Sequence, residues 1–327
     1  MKKPFKSCLR GSIVQYLQLM EGLGRRFAGE RRVLESLDHF LSEVGARSFH
    51  QEHFDAWCET LTRFCSTVRR NYMRVVRNFC IYRRRHAPKS FVPSTDHFPP
   101  LGAPIRPYWF SEQDITRLLH TCKAVAPVSR APLRPRVYRL AIVLLYTTGL
   151  RRGELVRLTL SDYDAQARTL FIRKSKFNKS RYLVLSADAQ REVDGFLRLR
   201  RARGLSMQGE VPLLCRGKMG LKGFSGGHLR TEIHAVMAAA GIRKQDGCVP
   251  RIHDFRHGFA ISVLLRSYAA GHDLQSRLPL LCTYMGHKSI VATSHYLSFV
   301  PALAEAASER FRDRYGDLVH AKESDHA

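Results

Sequence analysis

Apolar residues recur at three- and four-residue intervals through residues 9–86 with little alternation, which predicts several helices and hardly any strand. Within residues 66–85 the apolar positions Val68, Tyr72, Val75, Phe79 and Tyr82 share one helical stripe. Arg69, Arg70, Arg74, Arg77, Arg83, Arg84 and Arg85 fall mostly elsewhere around the axis, so this helix should bury one face and present a strongly cationic surface. The period then stops. Pro88, Pro93, Pro99, Pro100, Pro104 and Pro107, with Gly102, mark a linker. The pattern therefore divides the chain into a helical domain at 1–87, a linker at 88–107 and a second domain at 108–327.

The second domain opens on Ser111-Glu112-Gln113-Asp114, a serine N-cap with an acid three residues later, ahead of Ile115, Leu118 and Leu119. Residues 136–148 predict a buried helix closed by Gly149, and a short helix follows at 152–158. Residues 169–173 and 181–185 look like strands joined by the cationic turn 174–180, a hairpin. Helical patterns fill 187–203, 225–240, 252–268, a short piece at 278–285, and 289–299. The fold class expected is mostly α with a small antiparallel β-sheet, in two domains. Residues 305–327 mix acids and arginines around Leu303, Ala307, Phe311 and Tyr315, which suits either a partner-binding amphipathic helix or a cap on its own domain.

Charge turns this outline toward a partner. The formal net charge is +26 in 327 residues; ten of that excess lie in residues 1–95 and sixteen in 96–327. Basic charge on both domains fits a protein that grips a polyphosphate duplex from two sides better than one carrying a basic tail. Seven arginines without an acid between Thr67 and Ala87 repel one another unless phosphates neutralise them, so they are candidate DNA contacts. The eight cysteines are scattered with no Cys-x-x-Cys pair and are expected to be reduced. No apolar run follows Met1-Lys2-Lys3-Pro4, and stretches such as 140–146 are too short to cross a bilayer, so a cytoplasmic, nucleoid-associated protein is expected.

Four segments carry the chemistry: Thr148-Gly149-Leu150-Arg151-Arg152-Gly153-Glu154-Leu155, His253-Asp254-Phe255-Arg256-His257, Met285-Gly286-His287, and Tyr296. In order and separation they resemble the signature of the tyrosine recombinase (phage integrase) family, over residues 109–300 as a catalytic domain and more loosely over 9–86 as a helical core-binding domain. The resemblance implies catalytic roles for Arg151, His253, Arg256, His287 and the nucleophile Tyr296, with Lys176 in the hairpin turn as a sixth member. Lys174 and Lys179 compete with Lys176, and Tyr268, Tyr284 and Tyr315 with Tyr296. Glu154, one turn beyond Arg151, is placed to orient it; Asp254 and His257 read as supporting residues. The stretch between Arg256 and His287 departs from the family, holding Arg277, Pro279 and Cys282 where a smoother helix is usual. The resemblance further implies a C-shaped clamp around duplex DNA, a homo- or hetero-tetramer on DNA, and a monomer or weak oligomer off it.

These residue types suit phosphoryl transfer. Attack on a phosphodiester builds negative charge on nonbridging oxygens, and two guanidiniums can meet it with fixed, paired donors. His253 and Arg256, three apart, can share a helix face and reach one phosphate. A phenol with a pKa of about 10 needs cations and a proton acceptor, for which His253 is placed, and a lysine can protonate the departing 5′-oxygen. No Asp/Glu cluster has the look of a two-metal site, so neither a metal nor a cofactor is expected. The implied function is a site-specific recombinase, integrase or transposase of a mobile element. A topoisomerase using the same residue set, a non-catalytic architectural DNA-binding protein and, on charge alone, an RNA binder are the other readings.

Overall fold

A computed structural model of the chain describes residues 4–25, 27–102, 106–129, 131–173, 180–287, 289, 290, 293 and 296. The chain divides into two units, Met1–Ile105 and Arg106–Ala327.

The first unit is built from α1 (Arg10–Gly22), α2 (Ala28–Glu43), α3 (Gln51–Glu59) and α4 (Ser66–His86). Their apolar faces meet in a core of Ile13, Leu34, Leu37, Trp57, Val76 and Phe79, each sealed from solvent. The buried carboxylate of Asp38 accepts hydrogen bonds from the backbone N–H of Ser7 (3.0 Å) and from the Ser7 hydroxyl (2.6 Å), pinning the chain's entry onto α2. The buried stripe of α4 is not centred where periodicity put it. Met73, Val75, Val76, Phe79 and Cys80 are buried, whereas Val68, Tyr72 and Tyr82 are only half-buried. Met73 and Cys80, apolar and adaptable, join the two valines and Phe79 in that buried face.

The proline-rich stretch expected as a linker is mostly exposed but touches the first unit at a few anchors. Phe98 is buried, Phe91 meets Phe49 with ring centroids 5.5 Å apart, and Arg70 donates to the Pro99 carbonyl at 2.6 Å. Prolines without a helical period can still lay an extended segment on a core, because aromatic anchors between them supply the burial.

The second unit starts with α5 (Glu112–Ala124), whose N-terminus has the predicted capping box: the Ser111 hydroxyl accepts from Asp114 N, and the Asp114 carboxylate accepts from Ser111 N. Next comes α6 (Arg134–Thr148), apolar nearly all round and packed against α5, α8 (Ala187–Ala202) and α10 (Asp254–Ala269). It stops at Gly149, whose φ of 60° is the left-handed conformation. A Cβ there would stand 2.6 Å from Cδ1 of Phe259, so shape as well as conformation requires glycine. One turn, α7 (Arg152–Leu155), follows.

The hairpin is formed by β2 (Thr169–Ile172) and β3 (Arg181–Val184), antiparallel, with Phe171 opposite Tyr182 and Ile172 opposite Arg181. A two-residue strand, β1 (Tyr163–Asp164), completes this sheet, and β4 (Cys215–Arg216) pairs with β5 (Lys222–Gly223) in a second. Neither short pair is long enough to show an alternation in sequence. The remaining helices are α9 (Gly226–Ala239) and α11 (Leu274–Met285). The last begins four residues before its predicted start and carries Pro279 inside it. Predicted helix 289–299 and the segment 305–327 lie largely or wholly outside the described residues. Among the described residues no helix is long and apolar enough to cross a membrane. The two tryptophans fall one to each unit: Trp57 is fully buried, and Trp109, 49% exposed, donates to the Ser262 hydroxyl on α10.

Candidate active site

Three chain turns converge in the second unit: the end of α6, the start of α10 and the end of α11. Arg256, in the first turn of α10, is 1% exposed. Its Nη1 donates to the Gly149 carbonyl at 2.7 Å and its Nη2 to the Met285 carbonyl at 2.7 Å, so one planar fork ties two helix C-termini together. Those carbonyls are natural acceptors because helix ends leave them without amide partners.

Arg151 reaches the same turn from α7. It donates to the Gly286 carbonyl at 2.8 Å and to Glu154 Oε1 at 2.8 Å. Glu154, 3% exposed, also accepts from the Arg151 backbone N–H at 3.0 Å. The predicted orienting role of Glu154 thus has a concrete geometry: the carboxylate holds side chain and main chain of Arg151 at once.

Beyond Met285, Gly286 adopts φ 66° and turns the chain into His287. His287 Nδ1 lies 2.8 Å from the Thr293 hydroxyl, and its ring stacks on Tyr296 with centroids 5.8 Å apart. Tyr296 is 4% exposed and seated on an apolar cluster of Phe259, Leu278, Leu281 and Met285. Sequence reasoning set His257 aside as a supporting residue, yet its ring meets the Tyr296 ring edge-on at 5.4 Å. His253, at the N-cap of α10, is partly solvent-exposed and meets His257 at 4.7 Å. The order of rings is therefore His253, His257, Tyr296. A signal was available: His257 lies one helical turn beyond His253.

Two of the competing tyrosines, Tyr284 and Tyr268, fall among the described residues. Tyr284 stacks on Phe259 at 5.5 Å and donates to the Val184 carbonyl at 3.1 Å. Tyr268 sits twelve residues beyond Arg256 on α10, about 18 Å along the axis at 1.5 Å per residue. Tyr315, Lys174, Lys176 and Lys179 lie outside the described residues. The seven arginines of α4 belong to the other unit.

Sequence reading gave no role to Arg181, the first residue of β3. Its Nη1 and Nη2 each stand 3.1 Å from an oxygen of Glu154, and its Nε donates to the Tyr284 carbonyl at 2.8 Å.

Burial, with the neighbouring cations acting on top of it, sets the protonation states. Burial, reinforced by Arg256, Arg151 and Arg181, pushes the His287 imidazole down to about 4, so it is neutral at pH 7. Burial and then the neighbouring His257 and Arg256 push His253 down to about 4, and solvent on its open face screens that effect. Burial also lowers the Arg256 guanidinium to about 10, which leaves it charged. At Tyr296 burial wins: it raises the phenol above its ordinary value, against the Arg256 and Arg151 charges and a hydrogen bond from Arg256. The phenol in the DNA-free protein therefore keeps its proton and must lose it during attack.

Comparison with known proteins places this geometry. The phage integrase family model matches residues 108–300. The integrase/recombinase y4rB of Sinorhizobium fredii is 31% identical over 313 residues, covering 95% of this chain and 99% of that one. Tyrosine recombinase XerD of Rhizobium meliloti is 34% identical over 210 residues, 60% of this chain and 58% of its own. Among solved structures, the Tn1549 transposon integrase in complex with transposon right end DNA superposes with a TM-score of 0.63 at 15% identity, over 92% of this chain and 98% of that one. The XerH site-specific recombinase bound to difH gives 0.62 at 17% identity, over 84% and 77%. At such identities the structures speak for a common fold of helices with small antiparallel sheets. The sequence matches settle the rest: the chain belongs to the phage integrase family of tyrosine recombinases.

Proposed function

We propose that this tyrosine recombinase breaks and rejoins duplex DNA at a preferred sequence through a covalent bond to Tyr296. The phenol oxygen attacks the scissile phosphorus, a 3′-phosphotyrosyl bond forms, and the 5′-oxygen departs with a proton. A 5′-hydroxyl from another strand then reverses the step. The supporting observation is that Arg151 and Arg256, far apart in sequence, are both tied to the turn at Met285 and Gly286, beside His287 and Tyr296. Held there, two guanidiniums can receive the charge that builds on the nonbridging oxygens.

The remaining roles combine the protonation pattern with the resemblance. His287, neutral, is suited to donate a hydrogen bond to phosphate. The phenol proton passes to an imidazole: His253 is the acceptor the sequence offers, and His257 is the ring that touches Tyr296. Lys176 is assigned as the general acid for the 5′-oxygen. Because the phosphotyrosyl ester stores the energy of the broken diester, the exchange needs no ATP, and because guanidiniums supply the charge, it needs no metal. Double-stranded DNA is the substrate, a tetramer on DNA the working assembly, and a mobile element in a bacterial cytoplasm the setting. The similarity to a transposon integrase fold and to an integrase/recombinase over nearly its full length supports that setting. The arginines of α4 add affinity through phosphates.

The test is Tyr296→Phe on a nicked suicide duplex. Covalent protein–DNA adduct, read by denaturing gel, is expected to vanish while the dissociation constant for the same duplex stays within about threefold. Adduct formed by that variant would place the nucleophile elsewhere.

A further inference from the structure

Glu154 poses a problem that the catalytic set leaves open. A buried carboxylate bonded to Arg151 cancels the positive charge a phosphate has to meet. A second cation on the carboxylate's other edge restores it. We infer that Arg181 is a positioning residue for strand cleavage: it holds Glu154 between two guanidiniums and, through Glu154, sets the aim and the net charge of Arg151. This rests on the reading above, in which Arg151 contacts the scissile phosphate.

The hydrogen bonds specify the role. Glu154 Oε1 accepts from Arg151 Nη1 at 2.8 Å and from Arg181 Nη1 at 3.1 Å; Oε2 accepts from the Arg151 backbone N–H at 3.0 Å and from Arg181 Nη2 at 3.1 Å. Both oxygens are thereby shared between the two arginines, and the carboxylate cannot turn without breaking bonds on both sides. The side chain of Arg181 is only 13% exposed, so it is built into the protein rather than presented as a surface cation. Its third donor, Nε, takes the Tyr284 carbonyl at 2.8 Å. That carbonyl immediately precedes the two, Met285 and Gly286, that receive Arg256 and Arg151. Arg181 thus grips both things Arg151 depends on: its carboxylate and the turn that bears its carbonyl acceptor.

Gly286 fits the same purpose. A Cβ at that position would stand 2.9 Å from Arg181 Nη1 and 3.2 Å from its central carbon, so the glycine lets the guanidinium lie flat on the turn. A lysine could keep the charge but could not reach two carboxylate oxygens and a carbonyl together. Arg181 also begins β3, directly after the turn assigned the general acid, and so joins that strand to the phosphate-binding arginine.

The experiment measures single-turnover cleavage by the full chain on two suicide duplexes, one with an ordinary scissile phosphate and one with a methylphosphonate there, which lacks the negative charge. Arg181→Met, Arg181→Lys, Glu154→Gln and Arg151→Ala are compared. On the ordinary duplex Arg181→Met is expected to slow cleavage about 100-fold with DNA affinity within about threefold, and Arg181→Lys to recover less than about tenfold of that loss. On the methylphosphonate the penalties of Arg181→Met and Arg151→Ala should both shrink below about tenfold, since no charge is left for Arg151 to meet. An equal penalty on both duplexes would make Arg181 a support for the fold alone, and an affinity loss in step with the rate would make it a binding residue; either overturns the inference. If Arg181→Met loses its melting transition, the same comparison is made with Arg181→Lys and Glu154→Gln. Arg151→Ala cleaving the ordinary duplex at the native rate would instead overturn the assignment of Arg151 to the phosphate, and this inference with it.

Discussion

Two groups of arginines, one in each unit, use the same side chain in opposite ways. Along α4 they stand with few partners. Arg70 serves its own unit by holding Pro99, and Arg74 bonds Asn71 at 2.8 Å, but Arg69 Nε, Arg77 Nη1 and Arg83 Nη1 are buried nitrogen atoms with no hydrogen-bond partner among the described residues. In the second unit Arg151, Arg181 and Arg256 are held by carbonyls at helix ends and by one carboxylate. Arg74, Arg84 and Arg85 are exposed, so their charge is open to any phosphate that arrives, whereas charge fixed by several bonds can favour only one geometry. Affinity can be built the first way; rate enhancement requires the second, because the donors must already point where charge will appear.

The sharpest way to break this contrast is Arg256→Ala. Cleavage at saturating DNA should fall by about a thousandfold, roughly 4 kcal/mol of transition-state stabilisation, while affinity changes little. Equal losses in gel-shift affinity and in rate would erase the distinction between the two groups.

A smaller effect separates the units by pH. The unfolded His287 imidazole takes up a proton near pH 6.5, but the folded one, crowded by burial and three arginines, does so only near 4. The stability contributed by the neutral ring is therefore full above pH 6.5 and is lost as pH falls toward 4. Denaturant titrations at pH 7 and 4.5 should show a loss for the native chain that His287→Gln reduces by on the order of 2 kcal/mol, with half-burial allowed for. An unchanged loss in that variant would mean that the cations do not press on His287.

Least in size, Arg84→Ala with Arg85→Ala should weaken DNA binding about tenfold and lower the slope of log affinity against log salt by about two, leaving saturated cleavage intact. A rate defect at saturating DNA would give these arginines a place in geometry as well.

What the sequence made legible, and what it hid, follows the range of the interactions. Local rules placed the capping box of Ser111 and Asp114 and the left-handed Gly149, each set by residues within a turn, and the hairpin strands, whose partners are joined by one short connection. The motif segments named Arg151, Glu154, Arg256, His287 and Tyr296, which the fold brings together. Arg181 stayed hidden because its partners lie 27 and 103 residues away, and in sequence it closes a run of turn cations with nothing to single it out. Arg200 was hidden likewise: it reads as a helix surface charge, yet it is fully buried and donates to the carbonyls of Ser206, Pro212 and Gly220. The stripe on α4 was misplaced because periodicity weighs Tyr72 and Tyr82 above Met73 and Cys80, whereas the fold buries Met73 and Cys80 and leaves the two tyrosines half-buried.

The division of the indoles has a practical consequence. Trp57 sits in a dry interior and should fluoresce toward the blue, while Trp109, half open to solvent, should emit toward the red. The emission spectrum of the unaltered chain is thus a sum of two resolvable colours, one from each unit. Heating or diluting it, with or without a duplex, reports which half loosens first without any dye or added label.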